Sequence, residues 1–251
     1  MKIMVMGKGG SGKSTLAALL AEAFSEAGKD VLLVDADESN FGLGLLLGMQ
    51  AGKPLMDFLG GRPGVREKLK QAGPLAGPVP IFSAKIAPAD IPAECAVKKD
   101  GIRLVSVGKI RDFGEGCACM VGVLAKKLLG NLALGENDVV VVDSEAGVEH
   151  FGRGVDAEAD VLLGVLDPTR ESLLMAGAMD AMARKINAKL FFVLNKAEPL
   201  VHKLFTETIS EEKIAAVVGP KPDLALDALA GRPLSSLPEE VRSLAAFLIG
   251  Q

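Results

Sequence analysis

Gly7-Lys8-Gly9-Gly10-Ser11-Gly12-Lys13-Ser14 decides how the rest of this chain is read. The stretch fits G-x-x-x-x-G-K-[ST], the pattern of a phosphate-binding loop. Its glycines let the backbone turn tightly, with positive φ where needed. Successive N–H groups then point inward at phosphate oxygens. A helix beginning near Lys13 adds its positive N-terminal end. Lys13 is expected to reach the β- and γ-phosphates and the Ser14 hydroxyl to ligate Mg²⁺, with Thr15 closing the set of phosphate-binding positions.

The surroundings of the loop agree with the pattern. Lys2-Ile3-Met4-Val5-Met6 before it reads as a short buried strand. Leu16, Leu19, Leu20, Ala23, Phe24 and Ala27 after it recur at helical spacing, and Gly28 supplies a stop. Further out, Val31–Val34 runs into Asp35-Ala36-Asp37, and four valines at 139–142 run into Asp143. Val161–Leu166 ends at Asp167, and Leu190–Leu194 ends at Asn195. Runs this apolar suit strands covered on both faces, as in parallel sheets. Helical patterns lie between them, at 121–134, 170–187 and 199–213. The alternation predicts an α/β fold, a doubly wound and mostly parallel sheet flanked by helices, in one domain spanning 1–251. Each strand then delivers a polar residue to the sheet's C-terminal edge, where ligands bind in such folds.

The rest is less regular. Residues 52–80 hold six Gly and five Pro and read as loops with short helices at Leu55–Leu59 and Val65–Gln71. Ile81–Ser83 and Ile102–Val107 read as further strands. Residues 219–238 are Pro-rich, and a last helix is expected from Pro238 to Leu248.

Composition excludes several classes. The chain has 251 residues, 49% of them hydrophobic and 24% charged, which is enough for one large core. A net charge of −4 gives no bulk reason to expect nucleic acid or anionic membrane as partner. No apolar run reaches the length of a membrane span, and the N-terminal residues read directly as a strand, so no signal peptide is expected. Three cysteines are no disulfide framework, so a reducing cytoplasm is the expected setting. The absence of Trp and Tyr removes most of the usual platform for stacking bases.

Lys8 gives the loop a second lysine, in the form K-G-G-x-G-K-[ST]. This resembles the deviant P-loop ATPases: MinD, ParA, the nitrogenase iron protein and the metal-insertion ATPases. The resemblance implies a homodimer in which Lys8 reaches the nucleotide of the other subunit. It implies that Asp37 positions or activates the attacking water, a role open to a carboxylate beside the γ-phosphate. Asp35 and Asp143 would approach Mg²⁺ through water, Ser39-Asn40 would be a switch segment, and Ser144–Gly147 a second one. Asn195 has an amide able to pair with an adenine edge, a geometry known from base readout. Lys196 follows it, Glu198 stands where a guanine-binding motif would have Asp, and Pro220-Lys221-Pro222 would flank the base. The resemblance favours ATP.

Gly116-Cys117-Ala118-Cys119-Met120 is the second informative stretch. Two thiols at i and i+2 form half of a tetrahedral thiolate site, and a symmetric dimer would complete it. Thiolates suit Zn²⁺, Cu(I) or Fe–S, and Ni²⁺ in a square-planar variant. With Gly-Glu-Gly-Cys-x-Cys at 114–119 and Asp143 to Gly154, the chain resembles the CooC family, ATPases that assist nickel insertion into carbon monoxide dehydrogenase. Acetyl-CoA synthase maturation ATPases are close relatives of that family. The resemblance implies one Zn²⁺ or Ni²⁺ bound by Cys117 and Cys119 of two subunits. Met120 and Glu38 stand where that family often has proline. Cys95, His150 and His202 read as structural residues. Two other functions stay open: a positioning ATPase of MinD or ParA type, and an iron–sulfur electron-transfer or carrier ATPase. The last Pro238–Gln251 stretch lacks the basic amphipathic face of the former, and Ser144–Gly154 lacks the cysteine of the latter.

Overall fold

The structure, a computed structural model, describes residues 1–40, 42–71, 85–109, 119–144 and 158–251. In chain order the strands are β1 (Lys2–Met6), β2 (Asp30–Ala36), β3 (Ala96–Lys99), β4 (Ile102–Ser106), β5 (Asp138–Ser144), β6 (Val161–Leu166), β7 (Lys189–Asn195) and β8 (Ile214–Val218). The helices are α1 (Lys13–Glu26), α2 (Leu43–Leu46), α3 (Leu55–Phe58), α4 (Gly61–Gln71), α5 (Cys119–Asn131), α6 (Arg170–Ile186), α7 (Pro199–Thr206), α8 (Pro222–Leu229) and α9 (Glu239–Ile249).

The strands form one sheet in the order β3-β4-β2-β5-β1-β6-β7-β8. Every pairing is parallel except β3 with β4. Alternate residues of the central strands face opposite sides, as the two-residue period of a strand requires. Ile3, Val5, Leu33, Val141 and Leu163 pack against Leu20 and Phe24 of α1 and Val241 and Leu244 of α9. Met4, Leu32, Val140 and Leu162 pack on the other side, against Leu124 and Leu128 of α5 and Met179 of α6. Both faces are covered, which explains why the middles of the central strands, Ile3–Met6, Val31–Val34, Val139–Val142 and Val161–Leu163, are continuous apolar runs. The expected α/β fold is what the chain adopts.

The register places the polar residues. Asp35 lies opposite Asp143, and Val5 opposite Asp143 on the other side. The ends of β1, β2 and β5 therefore meet at one edge of the sheet, directly below the loop that links β1 to α1.

Several boundaries differ from the sequence reading. The helix expected over 199–213 stops at Thr206, whose hydroxyl turns back to the Lys203 carbonyl at 2.8 Å. A turn and the short 3₁₀ segment Glu211–Lys213 follow, then β8. β8 reads Ile-Ala-Ala-Val-Val, with little apolar bulk to mark a strand, and it pairs on one side only. α8 was hidden in the Pro-rich stretch 219–238, because Pro222 sits within its first turn, where proline is tolerated. β3 was not anticipated, since half of its residues are lysine. α5 ends at Asn131, short of the expected 134, and Leu132 then bridges to Ile86. Ile81–Ser83 lies outside the described residues.

Candidate nucleotide site

The loop after β1 has the backbone its glycines predict. Gly7 has φ 151°, and a Cβ there would lie 2.4 Å from the Val165 carbonyl oxygen of β6. Gly12, the N-cap of α1, has φ 97°, and a Cβ there would lie 2.2 Å from the Asn195 amide nitrogen. Each residue is held where any side chain would push the loop off its neighbours. Gly9, Gly10, Gly12, Lys13, Ser14 and Thr15 line a cleft of about 540 Å³ together with Asp37, Asn40 and Lys196. A cleft of about 620 Å³ lies elsewhere, between the end of α1 and the β3–β4 turn, and none of the loop residues lines it. The smaller cleft holds the groups expected from the sequence to bind phosphate.

Lys13 is buried, and its ammonium donates to the Lys8 carbonyl at 3.2 Å, closing the loop on itself. Ser11 is buried, and its carbonyl accepts the Asn195 amide at 2.8 Å. The Ser14 hydroxyl accepts the Asn40 amide at 2.7 Å, and the same amide donates to Asp143 at 3.4 Å. Asp143 is fully buried. Burial pushes its carboxyl up to about 7; a hydrogen bond from Ser14 opposes this and the charge of Asp35 adds to it. One of its oxygens, Oδ1, is buried with no hydrogen-bond partner among the described residues. A hard cation takes oxygen ligands of this kind, directly or through its water shell, so Ser14 and Asp143 fit Mg²⁺. Asp37 accepts the Ser39 backbone N–H at 2.9 Å and the Ser39 hydroxyl at 2.7 Å through one oxygen, Oδ1.

Asp35 differs from the simple expectation. Its carboxylate forms an ion pair with Lys109, at 2.7 Å, and burial raises its carboxyl to about 6, with Lys109 opposing. Any approach of Asp35 to Mg²⁺ through water shares the carboxylate with that ammonium. Lys8 pairs with Asp167 of its own chain at 2.9 Å. Burial acts to raise the Asp167 carboxyl, but hydrogen bonds from Ser172, Lys8 and Thr169 outweigh it and hold the group below its ordinary value.

Asn195 and Lys196 bracket the other end. Lys196 has φ 57°, and its ammonium donates to the Gly10 carbonyl at 2.9 Å. A second, smaller cleft of about 110 Å³ is lined by Asn195, Lys196, Gly219, Lys221 and Leu224. Pro220 stands between two of these lining residues. Cys119 opens α5, whereas Cys117, His150 and the stretch from Glu145 to Gly154 lie outside the described residues. Among the described residues no three His, Cys, Asp or Glu side chains cluster as a metal site. Cys95 is buried, and burial pushes its thiol up. His202 lies half-buried on α7. Among the described residues, no helix is long and apolar enough to cross a membrane.

The sequence reading missed Lys109 and the partner of Lys8. Both could have been sought by its own rule, that polar residues following a strand gather at one edge. Asp167 follows β6 and Lys109 follows β4.

The family model of the CobQ/CobB/MinD/ParA nucleotide binding domain matches residues 2–233. An uncharacterized ATP-binding protein of Methanocaldococcus jannaschii is 39% identical over 249 residues, 99% of each chain. The carbon monoxide dehydrogenase accessory protein CooC of Rhodospirillum rubrum is 33% identical over 190 residues, 75% of this chain and 71% of that one. Among solved structures, the septum site-determining protein MinD of Pyrococcus horikoshii, complexed with Mg-ADP, has a TM-score of 0.70 at 19% identity, covering 98% of this chain and 94% of that one.

Proposed function

This chain belongs to the CobQ/CobB/MinD/ParA nucleotide-binding family, and we propose that it is an ATP-hydrolysing metallochaperone. Its cycle assists nickel insertion into carbon monoxide dehydrogenase or the related acetyl-CoA synthase. The observation that carries this reading is the Cys117-x-Cys119 pair after Gly114-Glu115-Gly116, in a chain 33% identical to CooC over 75% of its length.

The residues take these parts. Gly7 to Thr15 hold the phosphates of ATP through backbone N–H groups, and Lys13 neutralises charge that moves to the leaving oxygens. Mg²⁺, when held by Ser14 and Asp143, would offset the remaining phosphate charge. Asp37 orients a water for in-line attack on the γ-phosphorus and accepts its proton at the carboxylate, giving ADP and phosphate. Asn195, Lys196 and the 219–221 turn hold the base. Lys8 leaves Asp167 and reaches the nucleotide of a second protomer. In the closed dimer two Cys117–Cys119 pairs meet and bind one Zn²⁺ or Ni²⁺ as cargo, so that metal affinity is coupled to nucleotide.

The test is metal content and self-association of purified protein, with and without ATP. The expected result is Zn or Ni at about half an equivalent per chain. Cys117→Ser and Cys119→Ser should abolish metal-linked dimerisation while ATP binding stays intact. Unchanged metal stoichiometry in both variants would remove the thiols from the reading, and an iron–sulfur cluster would replace it with the electron-carrier alternative. A positioning ATPase of MinD type is the second reading, favoured by the fold likeness to MinD. Absence of metal together with ATP-dependent binding to lipid vesicles or DNA would select it. The acidic first turn of α9, with Glu239 and Glu240, speaks against a basic membrane-binding helix there.

A further inference from the structure

Lys109 is a buried cation outside the phosphate cleft, and the parts assigned above leave it without a role. It lies just beyond β4, and its side chain is only 8% exposed. Its ammonium contacts Asp35 Oδ2 at 2.7 Å and Oδ1 at 2.8 Å. It donates to the Asp37 carbonyl at 2.6 Å and also to the Asn40 carbonyl. A lysine ammonium has three protons, and these three residues supply an acceptor for each.

The two carbonyls belong to residues 37–40 after β2, which have no regular secondary structure. Backbone in such a turn finds no partners in a ladder or helix and must be fixed from outside. Asp37 and Asn40 both line the phosphate cleft, whereas Lys109 does not. The Asn40 amide rests on Ser14 and Asp143, and the Asp37 carboxylate is the group assigned to the attacking water. One ammonium thus holds the main chain of the two cleft residues and, through the Asp35 carboxylate, anchors both to the end of β2. A neutral side chain of the same length would fill the space and supply none of these bonds.

We infer that Lys109 is a positioning residue of the nucleotide site, clamping residues 37–40 so that Asp37 and Asn40 face Ser14 and Asp143. It acts through the backbone of those residues and touches no phosphate. The clamp stands on the geometry; its effect on turnover rests on the ATPase reading.

Three variants test it: Lys109→Met, Lys109→Arg, and the double variant Asp35→Asn/Lys109→Met, which removes the Asp35 charge together with the ammonium that pairs with it. The first measurement is hydrogen–deuterium exchange of the nucleotide-free protein over residues 36–42. Lys109→Met should speed exchange there by about tenfold or more, with the rest of the sheet unchanged. The second is steady-state ATP hydrolysis beside binding of a fluorescent ADP. The expected result is kcat down about tenfold or more, with KM and ADP affinity within about threefold of wild type. Lys109→Arg, which keeps the charge and the donors, should recover most of both. The double variant should stay loose and slow, because the carbonyls still lack their donor. Should the double variant return to wild-type exchange and turnover, Lys109 merely neutralises Asp35 and the inference is overturned. Unchanged exchange in Lys109→Met overturns it too. If that single variant fails to fold, the double variant carries the comparison. A wild-type protein without ATP turnover would refute the ATPase reading, and exchange would still decide the clamp.

Discussion

At Asp143 the fold holds a carboxyl group where water does not reach it, and its proton affinity rises accordingly, to about 7. In the unfolded chain that group titrates near 3.8. Between those values the folded chain binds a proton that the unfolded chain has lost, so stability falls as pH rises through the window. Asp35, raised to about 6, acts in the same direction. Asp143→Asn is therefore expected to raise the stability of the metal-free, nucleotide-free chain at pH 8, by up to roughly 4 kcal/mol, since every tenfold change in proton affinity is worth about 1.4 kcal/mol. The gain should shrink to less than about 2 kcal/mol at pH 5, where the native carboxyl is neutral but the unfolded one is still ionised, and vanish only below about pH 4. Thermal melts of both proteins at the two pH values check this; an equal gap at both would show that the charge is not the cause. The acid itself was legible in the sequence as the end of a valine run. Its unpartnered oxygen and the amide of Asn40 beside it were not, because both depend on how a turn from β2 folds over the end of β5.

Among the elements, β6 and β7 show how closely the sheet and its helices are fitted. Gly164 in β6 faces Phe192 of β7 and Met179 of α6. A Cβ there would lie 2.7 Å from the Phe192 ring and 3.2 Å from the methionine sulfur. Phe192 and Met179 are both fully buried, so neither can swing out to make room. Gly164→Ala is expected to destabilise the fold by about 1–3 kcal/mol through overpacking. Nucleotide affinity should be unaffected. Urea unfolding paired with ADP binding distinguishes this from an effect at the site; a variant as stable as wild type would mean that α6 shifts freely. The apolar run at 161–166 announced β6, but nothing in it explains why its fourth residue is glycine. The explanation is the ring on the next strand. β8 shows the opposite case: its two alanines gave no strand signal, and pairing with β7 made it one.

For the whole molecule, the Lys8–Asp167 pair matters most. The proposed dimer needs Lys8 in the neighbouring protomer, yet within one chain its ammonium is bound 2.9 Å from Asp167. Thr169 also donates to that carboxylate at 2.8 Å, so the acceptor is held firmly at the end of β6. Closure must exchange this internal ion pair for contacts across the interface. Asp167→Asn is expected to favour ATP-dependent self-association, lowering the dimer dissociation constant by about three- to tenfold, as removal of a competing state of about 1 kcal/mol would do. Lys8→Ala should abolish it. Sedimentation velocity with a non-hydrolysable ATP analogue measures both; weaker association of Asp167→Asn would mean that Asp167 orients Lys8 for closure instead of restraining it.

Local order along the chain was enough to set the alternation of buried strands and amphipathic helices, the loop from Gly7 to Ser14, and the acids that end β2 and β5. Each has a local cause: periodicity, glycine spacing, or a carboxylate placed after an apolar run. Which groups meet was settled by packing alone. Lys109 lies 74 residues from Asp35 along the chain, and Asn195 lies 184 from Ser11. Contacts at such separations come from parallel strands carrying their ends to a common edge. Strand order and register are collective properties of the packed sheet, and no single stretch of residues contains them.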